Sequence, residues 1–270
     1  MIPSIIYGTA WKEENTEELT LKAIGAGYRA IDTANQKKHY REDYVGKALQ
    51  RLVKQGVTRE NLFLQSKYTY QGGQDHRLPY NPDDDFKTQV QASFKNTLEN
   101  LHTDYLDSFV LHGPMYNEGF NDADWEVWGA MEDLYEKKFC RAIGVSNIGL
   151  SQLQELFVGA KVKPHYVQNR CFARMDWDLQ VREFCLSNSI VYQGFSLLTA
   201  NPWVVSSSNV EFIAEKLGFS PQQIVFRFCK QIGILPLTGT TSEKHMKDDL
   251  RLDEFELSSA QMSQITNLTK

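Results

Sequence analysis

The chain has 270 residues, 41% hydrophobic and 23% charged, which is ordinary globular usage and enough for a large core. A formal net charge of -5 argues against nucleic acid as a partner, because neutralising phosphates needs a basic face. No apolar run approaches the ~18 residues that span a bilayer, so no membrane association is expected.

Met1-Ile2-Pro3-Ser4 lacks the basic start and long apolar run of a secretory signal. Cys140, Cys171, Cys185 and Cys229 form no C-x-x-C pair, which fits reduced thiols in a cytoplasmic protein. With no internal repeat and no Pro/Gly/Ser linker, residues 1–270 read as one domain.

Helical and extended signals alternate along the chain. Ile5 to Thr9 reads as a first strand. Asn15 with Glu18 three residues on has the pattern of a capping box and predicts a helix start. Ala30-Ile31-Asp32 is a short strand ending in a carboxylate, followed by a polar loop to His39. Val45, Ala48, Leu49, Leu52 and Val53 repeat at helical spacing, and Gly56 stands where a left-handed cap belongs.

Leu62 to Ser66 is a third strand leading into Lys67, and the loop from Tyr68 to Asp85 is long enough to suggest function. Val90, Phe94, Leu98 and Leu101 mark the next helix, and Tyr105 to Leu111 a fourth strand ending at His112. Trp128, Met131, Leu134 and Tyr135 form a further apolar helix face. Ala142 to Val145 is the fifth strand, ending at Ser146-Asn147, followed by a helix facing inward with Leu153, Leu156 and Phe157. His165 to Val167 ends at Gln168-Asn169, and Ile190 to Gly194 ends at Phe195-Ser196. Two helices are expected next, the second opening with Ser220-Pro221. Ile234 to Leu237 is the eighth strand, with helices near Ser242 to Leu250 and Ser258 to Leu268.

Eight strands alternating with helices over this length predict a (β/α)8 TIM barrel. An open doubly wound sheet is the alternative. Such a sheet needs a G-x-G-x-x-G turn after its first strand to bind a dinucleotide, and Gly8-Thr9-Ala10-Trp11 is not one.

In a barrel the strand C-termini form one rim, where active sites lie. The strand ends here are Thr9, Asp32, Lys67, His112, Ser146-Asn147, Gln168, Phe195-Ser196 and Thr238. Taken singly, each has a bland reading. Asp32 could be a loop carboxylate, Lys67 a surface cation, His112 a loop histidine and Tyr40 a packed aromatic. Together they place an acid, a cation, an imidazole and a phenol at one rim.

These residues, in order, resemble the aldo-keto reductase family. The matching stretches are Ala26 to Ala34, Val45 to Leu49, Leu62 to Lys67, Asp104 to Asp107 with Leu111-His112, Arg141 to Asn147, and Gln168-Asn169. The resemblance covers nearly the whole chain. It implies reduction of an aldehyde or ketone by hydride from NADP(H), through a tetrad of aspartate, tyrosine, lysine and histidine. Asp32, Lys67 and His112 match directly. The family's tyrosine normally lies five residues after the aspartate, where this chain has Lys37 in a lengthened loop. Tyr40 is the expected proton donor and His39 the alternative. A cation at Lys67 is expected to lower the tyrosine's pKa by favouring phenolate.

The resemblance also implies that Ser146, Asn147 and Gln168 bind the nicotinamide carboxamide. Phe195 takes the place of the stacking aromatic, usually tyrosine, with Ser196 and Leu197 along the pyrophosphate. Thr9 and Asp32 would complete the nicotinamide end. Thr238, Gly239, Thr240, Lys244 and His245 would meet the adenosine phosphate. Relatives that bind NADPH often carry proline-lysine-serine after the eighth strand and an arginine soon after. Here Pro236-Leu237-Thr238 and His245 stand there, so NAD(H) is a possible cofactor too.

Trp11, Tyr68, Tyr70, Met115 and Tyr116 are candidates for the walls of a carbonyl pocket, which the short segment after the last helix leaves open. Two other classes compete. One is a non-catalytic nucleotide-binding or regulatory protein on the same barrel. The other is a metal hydrolase built on Asp32 and His112, opposed by Lys67 and by the lack of a clustered ligand set; no metal is expected. The sequence does not define the oligomeric state.

Overall fold

Eight parallel strands close on themselves in chain order, with β8 pairing back to β1. They are β1 (Ile6–Gly8), β2 (Ala30–Asp32), β3 (Phe63–Tyr68), β4 (Ser108–Leu111), β5 (Ile143–Ser146), β6 (Tyr166–Arg170), β7 (Val191–Phe195) and β8 (Leu235–Thr238). The structure, a computed structural model, describes residues 3–269. The helices that return the chain around the barrel are α1 (Thr16–Ala26), α2 (Glu42–Val53), α3 (Phe86–Leu101), α4 (Asp122–Glu136), α5 (Leu150–Gly159) and α6 (Leu179–Ser187). After β7 come α7 (Pro202–Val205), α8 (Ser208–Leu217) and α9 (Pro221–Gln231), and after β8 come α10 (Glu243–Asp249) and α11 (Ser259–Thr266). The expected TIM barrel is therefore the observed fold.

Successive strand residues point to opposite faces, and that alternation positions the site. Ile6, Ala30, Leu235 and Leu237 cluster inside the barrel with Phe63, Val191 and Phe195 around them. Two residues further along the same inner face of β2 comes Asp32, and along β3 come Gln65 and Lys67. The intervening residues Ile31 and Leu64 join the larger apolar cluster under the helices. An apolar plug thus fills the barrel's base, and polar side chains sit directly above it.

Several local expectations change. Asn15 makes no side-chain cap, because a short turn at Glu13–Asn15 intervenes and α1 starts at Thr16. Val53 is exposed, at the last position of α2. Gly56 does adopt a left-handed φ of 85°, just past α2. Helix α6 carries only Val181 and Cys185 as buried residues, too few to give a clear helical period in the sequence. Three helices, not two, follow β7, and the Ser220 hydroxyl caps the last by accepting from Gln223 N.

Candidate active site

Lys67 is fully buried, and its Nζ donates to both Asp32 oxygens at 2.7 and 2.6 Å and to the Thr33 carbonyl at 2.9 Å. An ammonium this deep is tolerated only when paired and hydrogen-bonded. Asp32 also accepts from Gln65 Nε2 at 2.7 Å and Gln168 Nε2 at 3.0 Å. Both amides meet Gln193 Oε1, at 2.8 and 2.9 Å. The floor of the site is thus one closed polar layer from β2, β3, β6 and β7. Gln65 and Gln193 are members the sequence reading missed. The signal was available, since each glutamine stands two residues after an apolar residue of the barrel interior, Phe63 or Val191, on the same strand face, where a buried amide needs a partner.

The loop after Asp32 folds back to the rim. The Tyr40 N–H donates to the Gln36 carbonyl at 2.9 Å, and Trp11 N–H donates to the His39 carbonyl at 2.8 Å. His39 packs its ring on Trp11, with centroids 3.8 Å apart. Tyr40 instead faces the interior. Lys67 Nζ lies 5.2 Å from its ring centroid, and the His112 ring lies edge-on at 5.9 Å. Both His39 and Tyr40 border the central cleft, but it is Tyr40 that packs with Lys67 and His112.

Charge states follow from these surroundings. Burial, then the Asp32 carboxylate, push the Tyr40 phenol above its usual range, so it holds its proton. This corrects the expectation that Lys67 lowers it: Lys67 is already committed to Asp32. Burial pulls Lys67 down, and the Asp32 pair opposes that. Burial and the Lys67 charge push His112 down to about 3, so its imidazole is neutral at neutral pH. Its Nδ1 lies 2.7 Å from Thr69 Oγ1, and its backbone oxygen accepts from Asn147 Nδ2 at 2.8 Å.

A cleft of about 950 Å³ runs across the rim from these residues to α10. Of the residues expected at a cofactor, Asp32, Ser146, Gln168, Phe195, Ser196, Leu197, Thr238, Gly239, Thr240, Lys244 and His245 border it. Thr9 does not. It is fully buried and its hydroxyl donates to the Asp32 carbonyl at 3.0 Å. Asn147 borders a second cavity of about 710 Å³ beside His39 and His112, with Tyr70 and Met115 in its wall. Trp11 is exposed at the edge of the main cleft. Tyr68 and Tyr116 border neither cavity. Tyr68 follows inward-pointing Lys67 and so points out, its hydroxyl donating to Gln89 Oε1 at 3.2 Å.

Two charged residues at the cleft, Lys12 and Arg170, escaped the sequence reading, and Asp249 joins them there. Lys12 is buried, and its Nζ donates to the Gly239 carbonyl at 2.7 Å. Burial lowers its pKa to about 8. Asp249 is buried and accepts from Thr238 Oγ1 at 2.8 Å, and burial raises its pKa to about 7. Arg170, at the end of β6, borders the same cleft.

Comparisons with known proteins find relatives along nearly the whole chain. The model described as "Aldo/keto reductase family" matches residues 4–270. The chain is 32% identical to a glyoxal reductase of Bacillus subtilis (strain 168), over 96% of this chain and 87% of that one. It is 31% identical to NADPH-dependent codeinone reductase 1-4 of Papaver somniferum, over 99% of this chain and 86% of that one. The crystal structure of an aldo/keto reductase from Brucella melitensis superposes with a TM-score of 0.83 at 28% identity, covering 99% of this chain and 95% of that one.

Proposed function

Since the chain belongs to the aldo/keto reductase family, we propose that it reduces an aldehyde or ketone to an alcohol with hydride from NADPH, and that Tyr40 delivers the proton. The observation that carries this reading is the packing of the Tyr40 ring against both Lys67 and His112 at the rim of the long cleft.

The residues present fit a dinucleotide. The cleft offers the free carbonyl oxygen of Gln168 and the face of Phe195 at one end, with the hydroxyls of Ser196 and Thr240 further along. Lys12, whose one hydrogen bond among the described residues is to a neutral carbonyl, is a cation suited to a phosphate. Lys244 and His245, exposed at the start of α10, lie where a further phosphate could be met. When bound, NADPH supplies the hydride.

Hydride arrival at a carbonyl carbon leaves charge on oxygen, and donors aimed at that oxygen lower the barrier. Tyr40 enters with its proton in place and gives it to that oxygen. In the tautomer whose Nδ1 accepts from Thr69 Oγ1, neutral His112 presents Nε2–H to the same oxygen and orients it. Lys67, fixed by Asp32, stabilises the phenolate that Tyr40 becomes. The substrate is a small carbonyl compound entering beside His39 and Met115, where the second cavity adjoins the cleft. Among the described residues no helix is long and apolar enough to cross a membrane. Four buried, unpaired cysteines support a reducing, cytoplasmic setting.

The test is oxidation of NADPH, with NADH alongside, across a panel of aldehydes and ketones. Tyr40→Phe and His39→Ala serve as paired controls. Turnover abolished by the first and kept by the second is expected. Tight NADPH binding with no turnover on any substrate would sink the enzymatic reading. Loss of turnover in His39→Ala alone would move the acid to His39.

A further inference from the structure

The strap between β2 and α2 carries Tyr40, and polar contacts pin it to β3 on both sides. At its start, Thr33 N–H donates to the Gln65 carbonyl at 2.9 Å, and Asn35 N–H to the Lys67 carbonyl at 3.2 Å. The Asn35 amide donates to the Ser93 carbonyl at 3.0 Å and to Asn96 Oδ1 at 3.1 Å. At its end stands Glu42, the buried first residue of α2. Its carboxyl accepts from the Ser66 hydroxyl, from Thr97 Oγ1 at 3.1 Å and from Asn100 Nδ2 at 3.4 Å. Asn100 also donates to Asn96 Oδ1 at 3.1 Å. The circuit is closed: Asn35, Asn96, Asn100, Glu42 and Ser66 link both ends of the strap to β3 through one helix.

The stripe on α3 is unusual in composition. Ser93, Asn96, Thr97 and Asn100 follow i, i+3, i+4, i+7 spacing, so they share one helix face. Ser93 and Thr97 are fully buried there, where apolar residues would ordinarily pack. A buried carboxyl held by three neutral donors is costly to desolvate, and an apolar replacement is often as stable. Glu42 makes no ion pair among the described residues. Stability alone is therefore a poor reason for this arrangement.

Tyr40 supplies a better one. Among the described residues no hydrogen bond fixes its hydroxyl, so its placement depends on the strap. Glu42 lies two residues beyond it. We infer that Glu42, with Asn96 and Asn100 on α3, forms a positioning device that holds the Tyr40 phenol at reaction distance from the carbonyl oxygen. The device reaches the site from outside the barrel: Ser66 points outward to Glu42 while Lys67, its neighbour, points inward to Asp32. One strand therefore sets both the cation and the strap that carries the acid.

This inference rests on Tyr40 being the proton donor, and the experiment separates the two. Glu42→Ala, Glu42→Gln and Asn100→Ala are compared with wild type for kcat, NADPH Kd by fluorescence, thermal midpoint and solvent deuterium isotope effect. Displacing a reacting group by ~1 Å can cost up to ~100-fold, so kcat is expected to fall at least ~10-fold in Glu42→Ala and Asn100→Ala. NADPH Kd is expected to stay within about twofold, because the lost interaction acts on chemistry and not on cofactor binding. The solvent isotope effect on kcat rises as proton delivery slows. Glu42→Gln, which keeps an acceptor for Ser66 and Thr97 but faces Asn100 with a second donor, gives a kcat between those of Glu42→Ala and wild type. If Glu42→Ala does not fold, Asn100→Ala decides alone. A folded Glu42→Ala or Asn100→Ala variant with wild-type kcat overturns the inference. So does a loss of kcat that only tracks Kd and thermal midpoint, with the isotope effect unchanged. If Tyr40→Phe keeps full turnover, the parent reading fails instead.

Discussion

At the Tyr40 end of the cleft, Lys67 is held by both oxygens of Asp32 at 2.7 and 2.6 Å. At the far end, buried Lys12 and Asp249 make no ion pair among the described residues: Lys12 meets the Gly239 carbonyl at 2.7 Å and the Tyr7 ring at 5.2 Å, and Asp249 the Thr238 hydroxyl at 2.8 Å. The first region has its charges compensated before any ligand arrives. The second leaves them uncompensated, and burial drives each toward its neutral form. The difference teaches which end is preorganised. Chemistry needs fixed charges, whereas binding gains from a group whose desolvation the ligand relieves.

The sharpest way to break this comparison is at Tyr40. Removing a positioned acid costs ~10² to 10⁴ in rate, so Tyr40→Phe should lose that much kcat while binding NADPH normally. Steady-state kinetics and fluorescence titration measure the two.

Stability comes next. Asp32→Ala leaves Lys67 buried without its partner and should cost about 3 to 5 kcal/mol in chemical denaturation. Lys12→Met removes an uncompensated buried charge and should leave stability unchanged or higher. It should also weaken NADPH by about tenfold, the worth of a charged hydrogen bond of ~1.5 kcal/mol. Equal destabilisation by the two changes would erase the distinction between the ends.

The pH dependence sharpens the same point. Lys12 is lowered from 10.5 to about 8 in the folded chain. Between those values the unfolded chain binds more protons, so the Lys12 contribution makes the ligand-free protein more stable as pH rises through that window. NADPH affinity should fall over the same window, because the phosphate loses its cation. Opposite slopes in denaturation and titration are the expected outcome; parallel slopes would remove Lys12 from the binding site.

The smallest effect expected is at Thr69. Thr69→Val removes the partner of His112 Nδ1. A hydrogen bond is worth ~0.5 to 1.5 kcal/mol, so kcat/KM should fall by roughly threefold to tenfold. A larger loss would mean that Thr69 also shapes the second cavity, which it borders.

The sequence by itself determined the barrel and most of its rim. Alternating strands and helices are local signals, and Asp32, Lys67 and His112 stand at strand ends that short apolar runs define. Tyr68 was expected in the pocket wall, although counting one residue on from Lys67 turns it outward, where its hydroxyl meets Gln89. Only the tertiary structure shows that the His39 ring stacks on Trp11 while the Tyr40 ring packs against Lys67 and His112, because ring direction in a loop depends on what the loop folds against. It likewise decided that Gln65 and Gln193 join Asp32, that Lys12 faces the cleft, and that Glu42 meets Ser66 and Asn100. Those partners lie on different elements, up to 128 residues apart for Gln65 and Gln193. Periodicity fixes which face a residue takes within its own element; which partner that face meets depends on how barrel and helices close around each other.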